Sequence, residues 1–249
     1  MKIVGITRVR NEEHIIADTL NKVGEFVDSI YVYDDCSTDS TVAICQSHPK
    51  VVKVIRGQKW ADNANDRNEC EGSLRQIIYK EALKENPDWI YYFDADEIPD
   101  FSGIDFKADA YKLRLFDYYM TPNDKNKHWS QRKKIGQEYR EILMLFRPHP
   151  DIIFYQREPN IPDHFIVENA GFVKHYGKAI STDEWEKTCD YYVGVRWNKP
   201  EYRSLQQKWI DRIGKSIHEK SDFGNDLINW NEKEKCGIVL TREMEGRID

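Results

Sequence analysis

Short apolar runs alternate with helically spaced apolar residues over the first hundred positions of the chain. The continuous runs predict four strands, at 2–9, 29–35, 51–57 and 89–97. Between these runs, apolar residues recur at intervals of three and four, as they do on one face of a helix. Pro87 ends the last of these helices, which is predicted for about 73–85. This alternation of strands and helices favours a mainly parallel α/β sheet.

The pattern after residue 100 is less regular. Further strands are predicted at 110–120, 140–148, 151–156 and 172–177. From Thr182 the spacing becomes helical, with helices expected at 182–195 and 200–219 before a weakly periodic tail at 220–249. We therefore expect one α/β domain over 1–181 and a helical C-terminal extension over 182–249 that packs on the same domain.

Composition narrows the class of protein. The 249 residues are 40% hydrophobic and 12% aromatic, which is too much apolar surface for a disordered chain. A net charge of -6 argues against a general nucleic-acid binder, which carries a basic face. The five cysteines contain no C-x-x-C pair and indicate free thiols in a reducing compartment. No apolar run reaches the roughly 18 residues that span a bilayer. We expect a cytoplasmic protein, with peripheral membrane contact and homo-oligomer formation left open.

Acidic residues cluster where two predicted strands end. Asp34 and Asp35 follow the second strand, and Asp94, Asp96 and Glu97 follow the fourth. Ligands of parallel α/β sheets bind at the carboxyl ends of the strands. Carboxylates that are close together repel each other unless they share a cation, and Mg²⁺ or Mn²⁺ suits such oxygen ligands and bridges phosphates. The sequence therefore predicts a divalent metal with a phosphorylated ligand. The alternative for 34–41 is a polar turn that caps a helix.

Three segments resemble a known family in their order and spacing. They are TRVRNEE at 7–13, DDCSTDST at 34–41 and WIYYFDADE at 89–97. Together they are similar to glycosyltransferase family 2, whose members transfer a sugar from a nucleotide-activated donor to an acceptor. The resemblance implies the GT-A fold, a Rossmann-like mixed but mainly parallel sheet flanked by helices. The D-A-D-E form of the third segment resembles branches that act on surface glycans or lipopolysaccharide.

The resemblance implies a nucleotide-binding role for Thr7, Arg8, Glu12, Asp35, Arg75 and Asp94. Asp35 is similar to the aspartate that contacts the base or ribose. Arg75 fits the arginine that precedes the D-x-D motif, although an ordinary ion pair on a helix is an equal alternative. Asp94 would approach the ribose or a metal-bound water. Residues 1–100 would then form the nucleotide-binding part of the domain, and 101–181 the acceptor part.

The same resemblance assigns the metal ligands and the base. Asp96 would ligate Mn²⁺ or Mg²⁺, and His175 in FVKHYG would add a further ligand, with a purely structural histidine as the alternative. An inverting transfer needs a carboxylate that takes the proton of the acceptor hydroxyl. We assign this role to Asp163, with Glu158 and Glu168 as alternatives.

The sequence thus predicts a metal-dependent, inverting glycosyltransferase. Its expected donor is a nucleotide-diphosphate sugar, a UDP- or GDP-sugar first of all, and its acceptor is a glycan or a lipid- or protein-linked group. Inversion follows from the resemblance alone. The alternative is a GT-A domain that binds a nucleotide or glycan without turnover.

Overall fold

A computed structural model of the chain describes residues 1–60, 64–155, 157–194 and 203–241, with the backbone alone at 64–70 and 203–205. The chain forms two compact units. The first unit comprises Met1–Ala61, Asp66–Leu113 and Ile142–Phe172, and the second comprises Asp62–Asn65, Arg114–Glu141 and Val173–Asp249.

The secondary structure alternates strands and helices at first and becomes strand-rich later. The strands are β1 (Ile3–Val9), β2 (Ser29–Asp34), β3 (Val51–Arg56), β4 (Trp89–Asp94), β5 (Glu97–Asp100), β6 (Ala110–Tyr119), β7 (Lys134–Ile135), β8 (Glu138–Phe146), β9 (Ile153–Phe154), β10 (Pro159–Asn160), β11 (Val167–His175), β12 (Ile228–Asn229) and β13 (Ile238–Val239). The helices are α1 (Ile16–Val23), α2 (Thr41–Ser47), α3 (Ala64–Ala82), α4 (Thr182–Gly194) and α5 (Arg203–Ile210).

A parallel sheet organises the first unit. Its strand order is β3-β2-β1-β4, and every pairing along this order is parallel. The end of β8 pairs antiparallel with β4 on its other side, where Ile90 is paired with Phe146. Because β1, β2 and β4 run in one direction, their carboxyl ends meet at one edge of the sheet. The predicted fold class, a mixed and mainly parallel α/β sheet with helices, is confirmed.

Burial explains why these segments adopt their structures. The apolar residues of β4 are buried without alternation, as expected of a strand covered on both faces. In α1 the buried residues are Ile16, Thr19, Leu20 and Val23, which have the spacing of one helix face. Asn86 takes the left-handed conformation after α3, and Pro87 then prevents the helix from continuing.

Aromatic side chains form much of the core of the second unit. Tyr118 of β6 lies with its ring centroid 4.5 Å from that of Tyr176 and 5.6 Å from that of Trp230. Trp129 meets Tyr176 edge-on at 4.7 Å. Within this unit β7 pairs antiparallel with both β6 and β12.

The structure moves the boundaries of several predicted elements. Helix α3 begins nine residues before the predicted position, because 64–72 has no apolar periodicity to reveal it. Strand β11 begins at Val167, five residues earlier than predicted. The strand predicted at 151–156 is reduced to β9, and its last residue lies outside the described residues.

The C-terminal part differs more from the prediction. Helix α4 matches the helix predicted at 182–195 as far as Gly194, where the described residues stop. Helix α5 ends at Ile210, and a left-handed Gly214 follows. The tail contains β12, β13 and a 3₁₀ turn between them, so it is not purely helical over the described residues up to 241. Residues 195–202 and 242–249 of the predicted extension lie outside the described part.

None of the described helices combines the length and the apolar character that a membrane crossing requires. The four cysteines whose side chains are described, Cys36, Cys45, Cys189 and Cys236, are free thiols.

Candidate functional site

The ends of β1, β2 and β4 bring the acidic residues of the sequence motifs together. Register places Arg8 of β1 beside Asp94 of β4, and Val9 beside Asp34 of β2. Asp34 is fully buried, and its carboxylate accepts hydrogen bonds from the Ser37 amide at 3.2 Å and from Arg56 Nε at 3.3 Å. Asp34 therefore stabilises its own turn, as the turn interpretation of this segment predicts.

Asp35 pairs with Arg8. Its Oδ2 lies 3.1 Å from Arg8 Nε and 2.9 Å from Nη2, and the Asp35 side chain is only 6% exposed. Charge-assisted contacts of this kind fix both side chains in one geometry. The structure thus joins two residues that the sequence assigned separately to nucleotide binding.

A further cation lies beside this pair. Arg10 Nη1 donates to the carbonyl oxygens of Asp35 and Cys36, each at 2.7 Å, and its guanidinium lies 3.7 Å above the Trp60 ring. Burial lowers the pKa of Arg10, while the nearby Asp35 opposes that shift. Cys36 has a positive φ of 61°, so the turn after β2 is held in an unusual backbone conformation.

Backbone amides connect the N-E-E stretch to the segment after β2. The amide of Asn11 donates to Ser37 Oγ at 2.9 Å, and that of Glu12 donates to Thr41 Oγ1 at 2.7 Å. The carboxylate of Glu12 lies 3.5 Å from His14 Nε2. The segments 7–13 and 34–41 are therefore hydrogen-bonded to each other at the carboxyl edge of the sheet.

Thr7 lies inside this edge. Its side chain is fully buried, and its Oγ1 has no hydrogen-bond partner among the described residues. A buried hydroxyl without a partner costs free energy.

Arg75 of α3 binds Asp94. Its two terminal nitrogens lie 3.3 and 3.2 Å from Asp94 Oδ1, and Nη2 also lies 2.9 Å from Glu71. Only 3% of Arg75 is exposed, and its guanidinium lies 4.5 Å above the Tyr92 ring. Burial acts to raise the pKa of Asp94, but Arg75 and then Arg157 outweigh it, so the pKa falls below its ordinary value.

Glu97 supports the turn that carries Asp96. The fully buried carboxylate of Glu97 accepts the Asp94 amide at 2.9 Å and pairs with the guanidinium of Arg157. Arg157 also reaches to 3.7 Å from Asp94 Oδ2. Asp96 itself is half-buried in the two-residue turn between β4 and β5, and Thr19 of α1 donates to the carbonyl of Ala95 in that turn.

The donor chemistry at this edge fits a divalent cation that takes further ligands from a substrate. Within the described part of the chain, no three His, Cys, Asp or Glu side chains form a group that could hold a metal by themselves. Mg²⁺ in phosphate-binding sites is commonly held by one or two carboxylates together with phosphate oxygens. The half-buried Asp96 would supply one such carboxylate, whereas Asp94 is paired with Arg75 and Arg157. The role of Asp96 as a ligand stays a prediction.

The three carboxylates considered for the base differ in their surroundings. Asp163 and Glu168 are exposed, whereas Glu158 is half-buried and accepts the Leu143 amide at 2.8 Å. One oxygen of the Glu158 carboxylate is therefore already engaged in a hydrogen bond to the backbone.

His175 lies at the end of β11, in the second unit. Its Nδ1 is 2.6 Å from Oδ1 of Asp117, a buried carboxylate in β6. Arg140 and Lys178 contact the same carboxylate at 3.0 and 2.6 Å. Burial alone would raise the pKa of Asp117, but Arg140 and Lys178 together hold it well below its ordinary range.

Sequence reasoning missed several residues of these clusters: Arg10, Trp60, Asp117 and Arg157. One signal was available, because Asp117 stands between the apolar and aromatic residues at 115–116 and 118–120, and a buried carboxylate is costly without a partner. Arg157 lies in no recognisable motif and shows its role only through contacts made in the folded chain.

Comparison with known proteins supports the sequence resemblance. Two curated relatives, the uncharacterized proteins Mb3815c of Mycobacterium bovis and Rv3786c of Mycobacterium tuberculosis, are each 33% identical over 114 residues. The match covers 43% of this chain and 26% of each relative, so the chain spans about a quarter of the length of these proteins.

Two solved structures show limited similarity to this chain. Glucosyl-3-phosphoglycerate synthase of Mycobacterium tuberculosis, in complex with Mn²⁺, UDP and glucosyl-3-phosphoglycerate, has a TM-score of 0.32 and 15% identity, over 51% of this chain and 47% of its own. HddC of Yersinia pseudotuberculosis has a TM-score of 0.34 and 9% identity, over 77% of this chain and 100% of its own.

The sequence profile described as "Glycosyl transferase family 2" matches residues 6–157, which is more than half of the chain. This stretch contains all three motifs and the clusters around Asp35 and Asp94. The chain belongs to glycosyl transferase family 2.

Proposed function

We propose that the protein is a metal-dependent, inverting glycosyltransferase that uses a nucleotide-diphosphate sugar. The donor is a UDP- or GDP-sugar, and the acceptor is a glycan or a lipid- or protein-linked group of the kind found in surface glycans. The cytoplasm is its proposed location. A divalent cation, Mn²⁺ or Mg²⁺, supplies Lewis-acid stabilisation of the diphosphate leaving group when it is bound.

One observation supports this proposal most strongly. At the carboxyl edge of a parallel sheet, Asp35 and Asp94 are each held by arginine, at 2.9 and 3.2 Å, inside the segment matched by the family. Paired carboxylates of fixed orientation can accept hydrogen bonds from ribose or base donors. Thr7, Arg8, Glu12 and Arg75 complete the proposed nucleotide-binding set.

The remaining roles follow the family pattern. Asp96 is proposed as a metal ligand in the first unit, and His175 as a metal ligand in the second. Asp163, which lies between Pro162 and His164 in a loop and is exposed, is the proposed base. Glu158 already binds the Leu143 amide, and the exposed Glu168 remains the alternative. Asp163 would accept the proton of the acceptor hydroxyl during attack on the sugar carbon. Residues 1–100 and 101–181 are the proposed donor and acceptor parts.

Replacement of Asp96 tests the metal assignment. We expect Asp96→Asn to weaken Mn²⁺-dependent binding of the nucleoside diphosphate about tenfold or more, since one carboxylate is a large share of the protein ligands. Calorimetry with and without Mn²⁺ measures this effect. Asp100→Asn is the matched control, because Asp100 lies four residues later and, within the described residues, its carboxylate accepts a hydrogen bond from the Ser102 amide alone. Equal affinity in both variants would contradict the assignment.

Asp163→Asn tests the base. Loss of a general base should lower kcat by about 10²- to 10⁴-fold while donor affinity is retained. Asp151→Asn, at a carboxylate that is 79% exposed, serves as the control. Full activity of Asp163→Asn would transfer the role to Glu158 or Glu168, which the corresponding Gln variants would then separate.

A binding domain without turnover is the second candidate. Such a domain would use the same nucleotide-binding edge of the sheet but would not transfer the sugar. Release of nucleoside diphosphate from a bound donor in the presence of acceptors, or slowly to water, separates transfer from binding alone.

A further inference from the structure

We propose that Asp117 is a positioning residue that fixes the ring of His175 with the proton on Nδ1, so that Nε2 is the nitrogen that acts. This inference rests on the proposed function for the task of Nε2, which is to ligate the metal. The ring orientation itself rests on the contacts of the second unit alone.

The contact between the two residues is short and sheltered. Nδ1 of His175 lies 2.6 Å from Oδ1 of Asp117, and the Asp117 side chain is 6% exposed. Asp117 is located on β6 and His175 at the end of β11, so each side chain is held by a strand. Residues on regular strands hold a side-chain geometry more closely than residues on loops.

Two permanent cations keep the Asp117 carboxylate ionised. Arg140 contacts both of its oxygens, at 3.0 and 3.2 Å, and Lys178 Nζ lies 2.6 Å from Oδ2. Such a bidentate arginine contact is among the stronger charge-assisted arrangements. Lys178 Nζ also lies 2.9 Å from Asp222 Oδ2, so this ammonium group contacts two carboxylates.

The direction of the hydrogen bond follows from this ionisation. A carboxylate without a proton can only accept, so Nδ1 of His175 must donate. In a neutral imidazole the other nitrogen then carries the lone pair, and that nitrogen is Nε2. Histidine ligands of metals commonly donate their second ring N–H to a carboxylate, which sets the tautomer and increases ligand basicity.

The test reads the tautomer of the whole protein without metal or nucleotide. The chain is labelled with ¹⁵N-histidine, the His175 signals are assigned by their loss in His175→Gln, and the pH is raised until the ring is neutral. We expect the remaining proton on Nδ1 and none on Nε2. A proton on Nε2 in the wild-type protein overturns the proposal.

Variants then ask whether Asp117 is the cause. Asp117→Ala removes the acceptor and should shift His175 toward the Nε2–H form, whereas Asp117→Asn keeps a carbonyl acceptor and should preserve the wild-type form in part. Asp222→Ala is the matched control, since it removes the neighbouring carboxylate that contacts Lys178 and Arg212 but not His175 Nδ1. An unchanged tautomer in folded Asp117→Ala overturns the proposal. If that variant does not fold, the wild-type tautomer decides.

A second readout connects the tautomer to ligand binding. Loss of a carboxylate behind a metal-ligating histidine typically weakens metal binding 10- to 100-fold. We expect that loss in Mn²⁺ affinity, measured with UDP or GDP present, for Asp117→Ala and not for Asp222→Ala. Nδ1 protonation with no Mn²⁺ binding in the wild type would refute the proposed metal role of His175 and leave the positioning by Asp117 standing.

Discussion

Asp94 is held by two arginines, Arg75 from α3 and Arg157 from the segment after β9. Both guanidinium groups are largely buried, and Glu97 shares Arg157 with Asp94. Removal of one partner from a buried ion pair leaves the other charge desolvated, which usually costs more than the pair itself contributes. This network should therefore matter both for stability and for the shape of the D-A-D-E turn.

Arg157→Gln should lower the free energy of unfolding by about 3–5 kcal/mol, because Glu97 is fully buried and loses its cation. Urea denaturation measures the change. Lys107→Gln is the control, since Lys107 is 82% exposed in its pair with Asp105 and its loss should change the free energy of unfolding far less. Similar values for the two variants would show that Arg157 is dispensable for the turn.

The position of Arg75 before the D-x-D segment predicts a role near Asp94, and the structure pairs it with Asp94 and with Glu71 of its own helix. Its nucleotide-binding role stays a prediction. Arg157 lies 60 residues after Glu97, and no spacing rule links the two. The contact between Asp117 and His175 could not be predicted for the same reason, because contacts between strands depend on their register.

Helix α3 carries Arg75 to the sheet edge through close packing. Gly72 lies one turn before Arg75, and a Cβ atom there would be 2.4 Å from the backbone of Tyr155 and 2.5 Å from the carbonyl oxygen of Phe154. Only glycine allows the helix and this segment to approach so closely.

Gly72→Ala should destabilise the fold by about 1–3 kcal/mol, because backbone atoms cannot move aside as a flexible side chain can. Thermal unfolding measures this change. Gly194→Ala in α4 is the matched control, since no described atom lies within 4 Å of its Cβ position. There the better helix propensity of alanine should stabilise by up to about 1 kcal/mol. A stabilising Gly72→Ala would contradict the packing.

Elements with strong apolar patterns were predicted well from the sequence. β1, β2, β3 and β4 lie within the predicted segments, since each is a short apolar run. Polar elements are harder to predict. The first nine residues of α3 show no apolar periodicity, so the sequence predicts a helix that begins nine residues too late. Short strands such as β9, β12 and β13 depend on pairing partners and leave little trace in the local pattern.

On the scale of the whole molecule, family membership rests on residues 6–157, and the three motifs that suggested it all lie there. The chain after 181 forms part of the second unit and has no sequence signal for its role. The spacing of its apolar residues predicts α4, whereas the short strands β12 and β13 depend on pairing in the folded chain. The donor sugar and the acceptor depend on a few pocket side chains that composition and charge do not report.

Calorimetric titration of UDP, GDP, CDP and dTDP into the full chain, with and without Mn²⁺, tests the central claim most directly. The account predicts that one nucleotide binds, and that it binds well only with the metal present, because the cation would join the Asp96 carboxylate to the diphosphate. Binding of none of the four, or binding that is equally strong without metal, would contradict a metal-dependent nucleotide-sugar transferase.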